Sequence, residues 1–199
     1  GFLTPGRRAA TSSMEHNAVM RPLRRLESEG VMVTVMPCTP EGTLEPGTLA
    51  RELEKGLDLV VLSHASNVCG TVQDIESLAP LCETAGVPLV LDTAQTAGVL
   101  PIDGAGWDLA ACCFTGHKGL LGPQGTGGIL WRDDFATECL PFIEGGTGSF
   151  SHEEVQPAVL PDKFEAGTPN LPGLAGLLAS LDWLEETGIG TVRRREDEL

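Results

Sequence analysis

The sequence predicts an α/β domain built around a mainly parallel sheet, and two observations carry that expectation. Five short apolar runs rich in Val, Leu and Ile show no clear alternation with polar residues, as strands buried on both faces do. Helical patterns lie between these runs, and alternating strands and helices pack as a sheet with crossover helices. In chain order, Glu15–Glu29 reads as a helix with Leu23 and Leu26 on one face, followed by a strand at Val31–Met36. Pro46–Lys55 is the second helix and Leu57–Ser63 the next strand. Ile75–Ala85 is the third helix, with Gly86 as its C-cap, before a strand at Val87–Leu91. Leu109–Phe114 and Gly128–Trp131 are the last two strands. Residues 144–170 are dense in Gly, Ser, Thr, Pro and charge and read as loop. A final helix, Leu171–Thr187, carries Leu174, Leu177, Leu178, Leu181 and Leu184 at helical spacing. The charged ending RRREDEL continues a helical pattern without a terminator.

Composition narrows the function classes. The 199 residues are 41% hydrophobic and 21% charged, enough to bury a sizeable core. Lys and Arg number 13 against 28 Asp and Glu, a formal charge of -15. A surface that neutralises phosphates has the opposite sign, so a nucleic-acid partner and an anionic membrane are both disfavoured. No apolar run reaches the length of a membrane span, and the first residues carry no signal-peptide pattern. None of the six cysteines forms a CxxC pair, which disfavours a zinc site. Buried free thiols in a reducing cytoplasm are the expectation.

In this topology ligands bind beyond the carboxyl ends of parallel strands. Three neighbouring runs end there in Ser63–Asn67, Asp92–Gln95 and Thr115–Lys118, delivering Asn67, Asp92, Gln95, Thr115, His117 and Lys118 to one rim. A lysine after an apolar strand is an exposed loop residue or, if desolvated, a Schiff-base lysine. An aspartate just past a buried strand is a helix cap or a partner for a cation. Lysine and aspartate on adjacent strand ends together fit a pyridoxal phosphate site, the lysine holding the aldehyde and the aspartate keeping the ring nitrogen protonated. The Gly-rich stretch Gly119–Gly128 lacks the Lys-Ser/Thr ending of a phosphate loop and runs into a strand, so it reads as a turn or a hairpin-like return.

Five strings occur in order along the chain: MEHNAV (14–19), HASNVCGT (64–71), DTAQTAG (92–98), FTGHK (114–118) and FEAGTPN (164–170). Together they resemble the cysteine desulfurase and selenocysteine lyase group of class V aminotransferase-like enzymes. The resemblance implies a three-layer α/β/α sandwich with a mainly parallel sheet, the aspartate aminotransferase-like large domain of pyridoxal-phosphate enzymes. It implies that Lys118 forms the internal aldimine, Asp92 partners the pyridine nitrogen and Gln95 donates to the ring hydroxyl. His16 is implied to stack on the ring and to move protons, and Asn67 to contact the ring side and substrate. Thr115 and His117 are implied phosphate contacts, as is Thr168, supplied to the site of a second subunit in a homodimer. The activity implied is release of sulfur from L-cysteine to give alanine, with a possible sulfur-acceptor protein as a further partner. Another class V chemistry (a selenocysteine lyase, an epimerase or an aminotransferase) and a non-catalytic dimerisation module are the alternatives.

The same resemblance implies a phosphate loop before residue 1, and a nucleophilic cysteine and a carboxylate-binding arginine beyond Leu199. The chain therefore reads as a fragment: residues 1–170 a partial cofactor-binding domain, and 171–199 a helix leading to a small C-terminal domain. By itself it is expected to lack turnover. Cys69 stands where the family pattern suggests a threonine and is taken as a packing residue. His64 and His152 are taken as structural or solvated.

Overall fold

A computed structural model describes residues 1–198. Leu199, the last residue of the expected 171–199 segment, lies outside the described residues. The strands are β1 (Arg8–Ser12), β2 (Met32–Met36), β3 (Leu59–Ser63), β4 (Leu89–Asp92), β5 (Leu109–Thr115) and β6 (Gly127–Trp131). The helices are α1 (Asn17–Ser28), α2 (Pro46–Leu53), α3 (Ile75–Ala85), α4 (Asp133–Glu138), α5 (Leu171–Thr187) and α6 (Ile189–Asp197). The strands form one six-stranded sheet in the order β2-β1-β3-β4-β5-β6. All neighbours are parallel except β5 and β6.

Both faces of the sheet are covered. Val60, Leu62, Leu89 and Leu91 pack with Leu49 of α2 and with Ile75, Leu78 and Cys82 of α3. On the opposite face Ala9, Leu59 and Ala111 pack with Leu23 of α1 and Phe135 of α4. Successive strand residues point to opposite faces, so the strands inside the sheet are mostly apolar or small on both sides, and the edge strands β2 and β6 are more exposed. The α/β/α layering and the mainly parallel sheet are as expected from the sequence.

The strand absent from the sequence reading is β1, which lies inside the sheet between the edge strand β2 and β3. Its residues are Arg-Ala-Ala-Thr-Ser, and Ala9, Ala10, Thr11 and Ser12 are all buried. Ala9 belongs to the apolar cluster on one face and Ala10 to that on the other, and side chains this small leave no bulky apolar run to mark the strand. The hydroxyl of Thr11 is satisfied by donation to the Val61 carbonyl at 2.8 Å. Helix α4 also went unanticipated; its six residues carry two acidic ones in the first turn and bury only Phe135 and Ala136. Helix α3 has the expected limits, with Asp74 accepting from Ser77 N–H and Gly86 in the left-handed conformation at φ 65°. In α5 the Leu ladder divides: Leu177 and Leu184 are buried, whereas Leu174, Leu178 and Leu181 are exposed. The Gly119–Gly128 stretch is a hairpin return, with Thr115 opposite Gly127 in the antiparallel β5–β6 pair.

One close approach locks two loops at the carboxyl edge. Gly98, at φ 87°, sits in the turn after β4, and a Cβ there would collide with the backbone of Gly119. A Cβ on Gly119 would in turn lie 2.5 Å from the Ala97 carbonyl oxygen. The loop carrying Lys118 is closed by bonds from Leu121 N–H to Lys118 O and from Gly122 N–H to Gly116 O, at 2.8 and 2.7 Å. Gly98→Ala should therefore destabilise the chain by about 2–5 kcal/mol in urea unfolding, combining left-handed strain with overpacking. Gly86→Ala, where nothing lies within 4 Å, should cost only about 1–2 kcal/mol. Equal losses at the two positions would refute the close-packing argument.

Candidate active site

A cavity of about 440 Å³ opens at the carboxyl edge of the sheet. Val61 and Ser63 of β3, Val90 and Asp92 of β4, and Cys113 and Thr115 of β5 lie along its floor. Met14, His16, Ala18 and Val19, from the turn after β1 and the start of α1, close another side. Its place follows from topology. The connection from β1 runs through α1 on one face, and that from β3 runs through α3 on the other. Adjacent strands whose connections leave in opposite directions open a crevice at their carboxyl ends.

Seven of the eight residues singled out from the sequence line this cavity: His16, Asn67, Asp92, Gln95, Thr115, His117 and Lys118. Thr168 does not; it is exposed on the loop before α5. His16 combines a structural part with a place at the cavity. It caps α1, its Nδ1 accepting from Ala18 N–H at 3.1 Å, and it faces the cavity. That bond places the proton of the neutral ring on Nε2. Asp92 also combines roles: one carboxylate oxygen accepts from Ala94 N–H at 2.9 Å, and the other has lone pairs to offer. Thr115 Oγ1 lies 2.9 Å from His117 Nδ1, pairing the two groups just before Lys118.

Three polar groups beneath this layer had no assigned part. Glu15 receives hydrogen bonds from Ser12 Oγ at 2.6 Å and from Ser63 Oγ at 2.7 Å. Burial raises its pKa above the ordinary carboxylate value, against the lowering pull of the two hydroxyls. Only Ser63, at the end of an expected strand, stood out in the sequence; Ser12 ends β1, which no apolar run marks.

The remaining cysteines and histidines sort by burial. Cys82, Cys112 and Cys139 are buried and all six cysteines are free thiols. Burial pushes Cys113 up to about 12, with the neighbouring Asp92 charge adding to it. Burial also pushes Cys82 up to about 12. Cys69 corrects the packing expectation: it is exposed, and hydrogen bonds from Ser66 and then Thr71 lower it to about 7. His64 is buried, with Nδ1 2.9 Å from Thr96 Oγ1 and its ring edge-on to Trp107. His152 is exposed.

An amine, a carboxylate, two amides, two imidazoles and a hydroxyl thus converge on one cavity of ligand size. That donor set fits pyridoxal phosphate: a nucleophilic amine for its aldehyde, an acid group for its ring nitrogen, and neutral donors for its oxygens.

The chain matches the aminotransferase class-V family over residues 1–199. It is 36% identical over 187 residues to a protein of Methanothermobacter thermautotrophicus named "Probable cysteine desulfurase", covering 92% of this chain and 46% of that one. The apo structure of a cysteine desulfurase from Thermococcus onnurineus superposes with a TM-score of 0.87 at 29% identity, covering 98% of this chain and 50% of that chain. The cysteine desulfurase CsdA of Escherichia coli superposes at 0.84 and 30% identity, covering 95% and 48%. The chain spans about half the length of the relatives it matches.

Two measurements check the local electrostatics. Burial lowers the pKa of His64 below 6.5, so below that pH the unfolded chain binds a proton that the folded chain resists. Stability should fall as pH drops from 7.5 to 5.5, and His64→Gln should remove that part of the fall. An unchanged pH dependence in the variant would contradict it. Brief alkylation at neutral pH with mass mapping should modify Cys69 first and leave Cys82 and Cys113 untouched until the chain unfolds.

Proposed function

The chain belongs to the class-V aminotransferase family, and from that premise we propose that it forms the cofactor site of a pyridoxal-phosphate-dependent cysteine desulfurase. The reaction would pass the sulfur of L-cysteine to an acceptor thiol, which becomes a persulfide, and leave alanine. The observation that carries the proposal is the convergence of Lys118, Asp92, Gln95 and His16 on one cavity. The relatives' shared name supports the choice of substrate.

When bound, pyridoxal phosphate supplies an electron sink for the negative charge that builds on the substrate α-carbon. Lys118 Nζ would hold the cofactor through its aldehyde and, once displaced by the substrate amine, take the α-proton. The half-buried Asp92 carboxylate would keep a proton on the ring nitrogen, where charge pairing in a partly desolvated site is strongest. Gln95 would donate to the ring hydroxyl. His16, its position set by its capping bond, would lie against the ring and offer Nε2 for proton movement. Asn67 would contact the ring side and the substrate. Thr115 and His117 would hold the phosphate, their mutual contact orienting both. Thr168 stands exposed outside the cavity, and we assign it to the cofactor phosphate of a second copy in a homodimer.

The test is an absorption spectrum of the chain with pyridoxal phosphate, before and after L-cysteine. A visible band that shifts with cysteine is expected in the wild-type chain, and no such band in Lys118→Ala. A folded wild-type chain that binds no cofactor would overturn the proposal, as would an identical band in the variant.

A further inference from the structure

Resting on the cofactor-site reading above, we propose that Glu15 is a positioning residue: its carboxylate ties the end of β1 to the end of β3 and so fixes the turn that presents His16 to the cavity. The ladder between these strands runs from Ala9–Leu59 to Thr11–Val61 and stops there. Beyond it Ser12 pairs with Met36 of β2 and Ser63 with Asp92 of β4, so the ladder between β1 and β3 has ended. Glu15 spans the gap, with Ser12 Oγ donating to one oxygen at 2.6 Å and Ser63 Oγ to the other at 2.7 Å. Both serines are buried.

The bridge also closes the turn on itself. Ser12 Oγ accepts from Met14 N–H at 3.1 Å while giving its own proton to Glu15. Backbone, hydroxyl and carboxylate thus form one chain across residues 12–15, and His16 is the next residue. A carboxylate is a costly group to bury, and apolar packing would hold two strands more cheaply. What it offers is two acceptor oxygens in a fixed plane, able to receive hydroxyls from two strands at once. Met14, His16 and Ser63 all line the cavity, so the bridge sets the spacing of its walls.

The test pairs Glu15→Ala with His16→Ala and the double variant, and adds Glu15→Gln and Ser12→Ala. In the chain without cofactor, the His16 ring resonances should move toward free-histidine positions in Glu15→Ala and partway in Ser12→Ala. Glu15→Gln, which keeps one acceptor oxygen, should restore part of the shift. With pyridoxal phosphate, Glu15→Ala should bind about fivefold more weakly, the loss expected if an aromatic contact is misplaced. In the His16→Ala background the same change should add nothing. Unmoved His16 resonances in folded Glu15→Ala, or additive losses in the double variant, would overturn the proposal. If Glu15→Ala fails to fold, Ser12→Ala decides: unmoved His16 resonances refute the positioning role. A wild-type chain that takes up no cofactor would instead defeat the function proposed above, and the resonances of the cofactor-free chain would still decide the role of Glu15.

Discussion

A parallel sheet buried on both faces admits polar side chains only where its strands end. Every other feature here descends from that constraint. The interiors of the buried strands β1, β3, β4 and β5 are mostly apolar or small, whereas Met32, Ile129 and Leu130 of the edge strands β2 and β6 are exposed. The hydroxyls, carboxylates, imidazoles and the lysine are pushed to the carboxyl edge. There the opposed connections after β1 and β3 open the crevice that becomes the cavity.

That edge contains two carboxylates, and they are satisfied differently. Asp92 spends one oxygen on a backbone N–H and faces the cavity with the other, a geometry suited to meeting an external cation. Glu15 has both oxygens engaged by hydroxyls and turns away from external chemistry toward the framework. One acid ends β4 and the other lies three residues past β1, and one faces the cavity while the other faces the framework. Environment, not residue type, separates them.

Much of this was legible in the sequence because its signals are local. Bulky apolar runs marked five strands, Gly86 marked the end of α3, and the polar residues that follow each run marked the rim. The neighbouring strands β1 and β3 tell the limit. Leu59–Ser63 announces itself with Leu and Val, whereas Arg8–Ser12 is hidden because its buried residues are alanines and hydroxyl residues that also suit a loop. The Glu15 bridge was hidden for a related reason: Ser12 and Ser63 stand 51 positions apart, and only the fold makes them neighbours. Cys69 misled because its surroundings are set by the hydroxyls of Ser66 and Thr71 rather than by its own apolar character. The exposed Leu174, Leu178 and Leu181 show the reverse case, a helical spacing that identifies the helix without identifying which face is covered.

The glycines at the carboxyl edge have a consequence for how such a chain can change over generations. Gly98 and Gly119 each exclude a side chain by the nearness of the other's loop. A side chain at either glycine meets the other loop's backbone and, at Gly119, Val99 as well, so replacing one obliges the other loop to shift. The segment that bears Lys118 is thereby keyed to the segment that bears Asp92 and Gln95, and a change in one is felt in the other.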